Sequence, residues 1–380
     1  MNILYLTEDY YHSKVHNNLI YNILEQDKDL KIYVFTPIRN NRIGSTLEKS
    51  FKHHKRLIEL AAPIDISIKL YRLDFWAKIR CKVRLIEQNV PIKTIDAIHC
   101  ATLFTEGCVA QMLNKKYNIP YSVTVRGTDC NFYSHKMFHL WFWGNKVIRK
   151  AGAIIYVTPT IKNKMMSIWH YRNVRKRLSQ GIIINNGIDS IWLENKHVKL
   201  CSLNESIKIL YIGRFDSNKN VLRLIEVING LRTKYPIEIT LIGGDGDQQQ
   251  LIENEISMHG EYIHYLGKIY DKEKLMSIVR KNDIFAMVSH SETFGLVYAE
   301  CLTQGLPLLY TLKTGFDNMY PQGYVGYGVD SYSKDSIEDG LIKIIKEYDH
   351  LRKNVNQLNF DRYSWGHLAK EYHSILMKMD

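Results

Sequence analysis

The chain has 380 residues, 45% hydrophobic and 24% charged, which is enough for two domains of ordinary size with buried cores. No stretch approaches the ~20 apolar residues of a membrane span, and residues 1–9 lack a basic start and a cleavage site, so a cytoplasmic protein is expected. The net charge of +12 is uneven: residues 1–200 carry +16 and the remaining 180 carry −4, so one half is set to meet something anionic. Anionic lipid, a phosphate-bearing acceptor and nucleic acid are the candidates. Nucleic acid ranks last, because no RNA- or DNA-binding motif is visible. The six cysteines (Cys81, Cys100, Cys108, Cys130, Cys201 and Cys301) have no ligand spacing and read as reduced thiols.

In chain order, short apolar β-rich runs alternate with helical patterns, which predicts parallel sheets covered by helices on both faces. The first half offers strands at 2–6, 31–36, 66–70, 97–100, 121–125, 153–157 and 182–184. The second offers 207–212, 237–242, 262–266, 283–288 and 306–310. Between them, residues 221–231 place apolar side chains at 221, 224, 225, 228 and 231, the stripe of an amphipathic helix. A polar, charged stretch at 187–206 marks the break. The expected division is 1–190, 200–362 and a terminal helix over 363–380, with Ser364 near its cap. The first strand is not followed by Gly-x-Gly-x-x-Gly, which disfavours a nicotinamide dehydrogenase.

The segment with most chemical content is Ser289-His-Ser-Glu-Thr-Phe-Gly-Leu-Val-Tyr-Ala-Glu300, closed by Gly305 and Pro307. Glu292 falls on the loop leaving a strand and Glu300 inside the next helix. The amides of Phe294, Gly295 and Leu296 are then unpaired first-turn donors, attractive to anions and oxygen-rich ligands. Two carboxylates nearby can accept hydroxyl protons. The plain alternative is a capping Glu292 and an exposed helical Glu300. Upstream, Gly213-Arg-Phe-Asp-Ser-Asn-Lys219 follows a strand and opens a helix, which puts Arg214 and Lys219 at the end of a parallel strand where ligands bind. Two fixed cations can stabilise a departing diphosphate in place of a divalent metal. Surface salt-bridging is the alternative there.

Together these segments resemble the Glu-x7-Glu and Gly-Arg-x4-Lys motifs of the family 4 retaining glycosyltransferases. The resemblance implies a GT-B fold, two Rossmann-like domains facing a cleft, of bacterial surface-polysaccharide type. It implies that Arg214 and Lys219 hold the diphosphate, that Glu292 with Thr293, Phe294, Gly295 and Leu296 holds the donor sugar, and that Glu300 holds the ribose. Leu241-Ile-Gly-Gly-Asp-Gly-Asp247 contains a formal Asp-x-Asp, but its place matches the family's Gly-Asp-Gly turn, so Gly243 is assigned near the nucleotide and no metal is expected. Leu266-Gly-Lys-Ile269 matches the segment whose backbone reads the base, which brings in Gly267 and Lys268. Asp361-Arg-Tyr-Ser-Trp365 resembles the family's ending, where the last helix crosses back to the first domain; packing on its own domain is the alternative.

In the first half the match is partial. Val125-Arg-Gly-Thr-Asp129 resembles a strand-then-His-Gly-x-Asp segment with arginine in the histidine's place. Arg126 cannot act as a base at neutral pH, so its role is electrostatic or structural. Gly127 keeps its place, and Asp129 caps a helix or touches the acceptor. Where the family places a Gly-Gly pair, the loop after the first strand has no glycine; it can close around Lys14, and His16 occupies a frequent family position but also reads as structural. Aromatics interleaved with cations over 133–150 and 168–177, with a basic run at 51–56, suit the headgroup region of an anionic membrane. The resemblance implies transfer from a nucleotide-diphosphate sugar, a UDP-sugar, to a glycan or lipid-linked acceptor at the inner face of the membrane. A nucleotide-sugar epimerase or hydrolase, and a non-catalytic partner protein of the same fold, are the other readings.

Overall fold

The computed structural model describes residues 1–11, 13–39, 54–64, 74–200, 202–203 and 205–379. The expected strand at 66–70, residues 51–53 of the basic run, and Cys201 lie outside the described residues. The chain forms two compact units, one of Met1–Gly187 with Trp365–Asp380 and one of Ile188–Ser364.

In the first unit the strands are β1 (Asn2–Leu6), β2 (Lys31–Arg39), β3 (Leu57–Ile64), β4 (Ala97–Cys100), β5 (Tyr121–Val125), β6 (Ala153–Tyr156) and β7 (Ile182–Ile183). They pair in parallel in the order β3-β2-β1-β4-β5-β6-β7. Alternation along β1 sends Leu4 and Leu6 into one core and Ile3 and Tyr5 into the other, so both sheet faces are covered and the strand reads as an unbroken apolar run. Ile79, Val83 and Ile86 of the Phe75–Asn89 helix and Val109 and Leu113 of the Thr105–Tyr117 helix close the first core. The second is closed by Leu19, Ile20, Ile23 and Leu24 of the Lys14–Gln26 helix and by Leu368, Tyr372, Ile375 and Leu376 of the Trp365–Met377 helix. Ser13 starts the Lys14–Gln26 helix by accepting the Val15 amide, and Asp74 caps the Phe75–Asn89 helix through two amides.

The second unit holds β8 (Ile207–Arg214), β9 (Ile237–Gly244), β10 (Ile263–Tyr265), β11 (Ile284–Ala286), β12 (Leu308–Thr311) and β13 (Gly326–Val329). The order is β10-β9-β8-β11-β12-β13, again parallel. The Val221–Leu231 helix buries Val221, Leu224, Ile225, Val227, Ile228 and Leu231 against this sheet. Both sheets reverse their winding in the middle, at β1/β4 and at β8/β11. Crevices at the carboxyl ends of strands flanking such a reversal are where open α/β sheets hold ligands.

Two strands, β3 and β13, were not expected. Each lies at one edge of its sheet; β3 carries Pro63, and β13 is Gly-Tyr-Gly-Val. Proline and glycine weaken a strand reading and are tolerated at edges.

Candidate functional site

Strand β8 ends at Arg214, and the loop beyond it carries Asp216, Asn218, Lys219 and Asn220 into the Val221–Leu231 helix. The loop after β11 carries Ser289 to Gly295 into the Leu296–Thr303 helix. The two loops are stitched together. The Asn218 amide group donates to Ser291 O at 3.0 Å, the His290 amide donates to Asn218 O at 2.8 Å, and Asn220 donates to Val288 O and Ser331 O. At the centre Lys219 Nζ is ion-paired with Glu292 Oε1, both side chains largely buried. Asp216 links outward from there: its carboxylate accepts the Lys219 amide at 3.1 Å and lies 3.6 Å from Arg214 Nε. Arg214 itself donates to Asp245 O at 3.0 Å and leaves 69% of its side chain exposed. One cation is thus held inside the fold and the other stands open to a ligand.

Gly295 takes φ +75°, and a Cβ there would lie 2.6 Å from the Tyr298 ring, so only glycine makes this turn. Among the described residues no acceptor meets the amides of Phe294, Gly295 or Leu296. The Phe294 ring itself is buried against Tyr363, so this residue presents only its backbone; Thr293 is exposed. The far end of the helix closes with a double bond to the turn: Gly305 N donates to Leu302 O and Leu306 N to Cys301 O, with Gly305 left-handed. Glu300, half-buried on this helix, has its carboxyl pushed up to about 7 by desolvation, against the opposing pull of Lys272.

At the end of β9, Gly243 passes so close to β8 that a Cβ would meet Gly213 O at 1.8 Å. Asp245 pairs with Lys268 on the segment after β10, next to Gly267 at φ +67°, and Asp247 accepts the Ser217 amide at 2.9 Å. Both carboxylates of the Asp-x-Asp therefore have partners within the protein. Arg214, Lys219, Glu292, Glu300, Gly213, Gly243, Gly267 and Lys268 all stand on or beyond the carboxyl ends of β8 to β11, at the reversal of the second sheet.

Residues 194–359 match the family model of Glycosyl transferases group 1. The matched residues lie within the second unit. The chain is 26% identical to an uncharacterised glycosyltransferase of Methanocaldococcus jannaschii over 351 residues, covering 90% of this chain and 89% of the relative. It is 24% identical to the alpha-monoglucosyldiacylglycerol synthase of Acholeplasma laidlawii over 344 residues, 85% of this chain and 80% of that one. Among solved structures it is similar to Anabaena HepE in complex with UDP, at TM-score 0.70 and 16% identity with both chains fully covered. The fold is GT-B: two parallel sheets with helices, in two domains.

The first unit has its own arrangement. Arg126 follows β5 and donates from Nε to Ala101 O at 2.9 Å. Asp129 is fully buried. Its carboxylate accepts the amides of Arg126 (2.9 Å), Leu103 (3.2 Å) and Phe104 (3.3 Å), the last two at the start of the Thr105–Tyr117 helix. Desolvation raises its pKa to about 7 against those hydrogen bonds. Of the two roles considered for Asp129, the geometry fits capping; a fully buried carboxylate does not reach an acceptor. His16 is likewise buried, its Nδ1 2.8 Å from the Tyr5 hydroxyl, and burial first and Arg126 second hold it well below the usual imidazole range. His99, against Tyr5 and Tyr372, is pushed down to about 3 by the same two causes. Gly127 is buried and Lys14 is exposed at the first turn of its helix.

The glycine-free loop after β1 is fastened by side chains. Glu8 binds Lys78 at 2.6 Å and the buried Lys82 at 2.5 Å. Burial would raise its pKa, but Lys82 and Lys78 override this and hold it at about 2. The Tyr10 and Tyr11 hydroxyls donate to the two oxygens of Glu59 at 2.9 and 3.2 Å. Sequence reasoning missed these anchors, because Glu8 and Lys82 are 74 positions apart. It also missed Asp216, Asn218 and Gly315. A Cβ on Gly315 would press to 2.6 Å on the Phe294 nitrogen, so this glycine keeps that amide clear. Asp216 and Asn218 lie inside the Arg214–Lys219 motif, and their polar character was the available signal.

Proposed function

We propose that this protein is a retaining glycosyltransferase that moves a sugar from a nucleotide-diphosphate sugar, a UDP-sugar, to a hydroxyl of a glycan, lipid-linked or other cell-surface acceptor. The observation that carries the reading is the run of contacts Arg214–Asp216–Lys219–Glu292 beside free helix-start amides, at the reversal of the second sheet. Arg214 and Lys219 take the diphosphate. The amides of Gly295 and Leu296 and the carboxylate of Glu292 take the sugar hydroxyls, and Glu300 takes the ribose, which are positioning roles. In the transfer, the bond from C1 to the leaving phosphate oxygen breaks while the acceptor oxygen bonds C1 on the same face. The acceptor proton passes to the departing phosphate oxygen, whose charge the two cations stabilise. No metal is needed in this scheme, because fixed cations do its work. The likeness to HepE, solved in complex with UDP, supports the choice of UDP, and the likeness to the Acholeplasma alpha-monoglucosyldiacylglycerol synthase supports a lipid acceptor. The positive charge of the first unit supports a cytoplasmic enzyme working at the inner face of the membrane.

The test is a thermal-shift screen of UDP-, GDP- and dTDP-sugars, followed by NMR of the product anomer with and without EDTA. A donor that raises Tm and a product of unchanged anomeric configuration are expected. Inverted product, or epimerised sugar without acceptor, overturns the reading.

A further inference from the structure

Between Asp129 and Asp189 the chain has no carboxylate side chain. Residues 130–188 hold ten Lys and Arg and not one Asp or Glu. Protein surfaces ordinarily mix both signs, so a one-sign stretch of this length marks a surface that meets an anion. The same stretch exposes large rings: Phe132 at 42%, Trp141 at 37%, Phe142 at 49% and Trp169 at 65%. Three of them form a connected face. Trp141 stacks on His170 at 5.8 Å, Trp169 meets the same His170 edge-on at 5.5 Å, and Phe142 meets Trp141 edge-on at 6.1 Å. Beside the rings lies an open depression of about 560 Å³, lined by Asn131, Ser134, His135, Lys164, Trp169 and His170.

We propose that this face docks on an anionic phospholipid surface. The headgroup phosphate sits in the depression against Lys164, and Trp169, Trp141 and Phe142 enter the boundary with the acyl chains. The placement of the cations favours lipid over nucleic acid. Arg172 lies 3.8 Å over the Trp169 ring, and Lys146 lies 4.6 and 4.2 Å over the Phe142 and Trp143 rings. A base stacks on a free ring face, and these faces carry a cation already. In a headgroup layer the same pairs are at ease, ring inward and charge among phosphates. The inference rests on the inner-face reading above and adds the face and the lipid class.

The experiment is co-sedimentation of the full chain with vesicles of phosphatidylcholine alone or mixed with phosphatidylglycerol, at low and high salt. Trp169→Ala and Arg172→Glu are compared with wild type, each checked for an unchanged melting curve. Wild type is expected to sediment only with the phosphatidylglycerol vesicles and to be partly released by salt. Arg172→Glu, a two-charge change, should weaken binding about tenfold or more, and Trp169→Ala should weaken it at both salt concentrations. Anionic vesicles bound equally by both variants and wild type overturn this docking face and leave the inner-face reading standing. No vesicle binding by wild type overturns both. Tighter binding to single-stranded oligonucleotide than to vesicles, weakened by the same variants, reassigns the face to nucleic acid.

Discussion

Lys219 cannot serve a phosphate and Glu292 at full strength together. Its ammonium is given to Glu292, while Arg214 stands exposed. Lys219→Ala and Arg214→Ala are each expected to lower turnover by roughly two to three orders of magnitude, measured as kcat under saturating donor. Lys219→Ala should also lower Tm, since it strands a largely buried Glu292. Glu292→Gln separates the roles: calorimetry should find UDP bound more tightly, because Lys219 is released, while transfer falls. A raised carboxyl pKa gives a second residue-scale expectation. Asp129, at about 7 in the fold against an ordinary value of 3.8, contributes stability that is complete below 3.8 and lost as pH rises through about 7. Glu300, with the same direction from 4.5, behaves alike. Tm of wild type should therefore fall relative to Glu300→Gln as pH rises from about 5 to about 8, across the interval between the ordinary and the raised carboxyl pKa; parallel curves would count against it. The residue types of this site could be read from the chain, since Arg214, Lys219, Glu292 and Glu300 stand in two local motifs. Their pairing could not, because Lys219 and Glu292 lie 73 positions apart and only the sheet order brings their loops together.

At the scale of elements, the turn into the Leu296–Thr303 helix depends on one backbone angle. Gly295→Ala puts a Cβ into a left-handed φ and into the Tyr298 ring, at a cost of about 1–3 kcal/mol. A loss of Tm together with weakened donor binding is the expected result, read by thermal melts with and without UDP-sugar. Central strands were legible because both of their faces are buried, as in β5, where all five residues are covered. Two of the four edge strands were not: β3 is led in by a basic run and contains Pro63, and two of the four β13 residues are glycine. The loop after β1 was legible only as a departure. Its lack of glycine could be seen, whereas the tyrosine–Glu59 and Glu8–Lys82 anchors that hold it need the fold.

At the scale of the whole molecule, the first unit is built from two stretches of chain separated by the entire second unit. The Trp365–Met377 helix contributes Leu368, Tyr372, Ile375 and Leu376 to the core on one side of the first sheet, and His373 approaches Asp27 at 3.4 Å. A chain ending at Ser364 should lose the cooperative melting of the first unit and aggregate, while UDP-sugar still stabilises the second unit; scanning calorimetry reads both. The discontinuity also has a consequence for the order of events during synthesis. The N-terminal sheet and the Lys14–Gln26 helix emerge from the ribosome first, yet part of the face they share stays uncovered until the Trp365–Met377 helix follows. Fragments that stop short of this helix would display that apolar patch, which gives the cell's chaperones and proteases a way to tell them from chains that contain it.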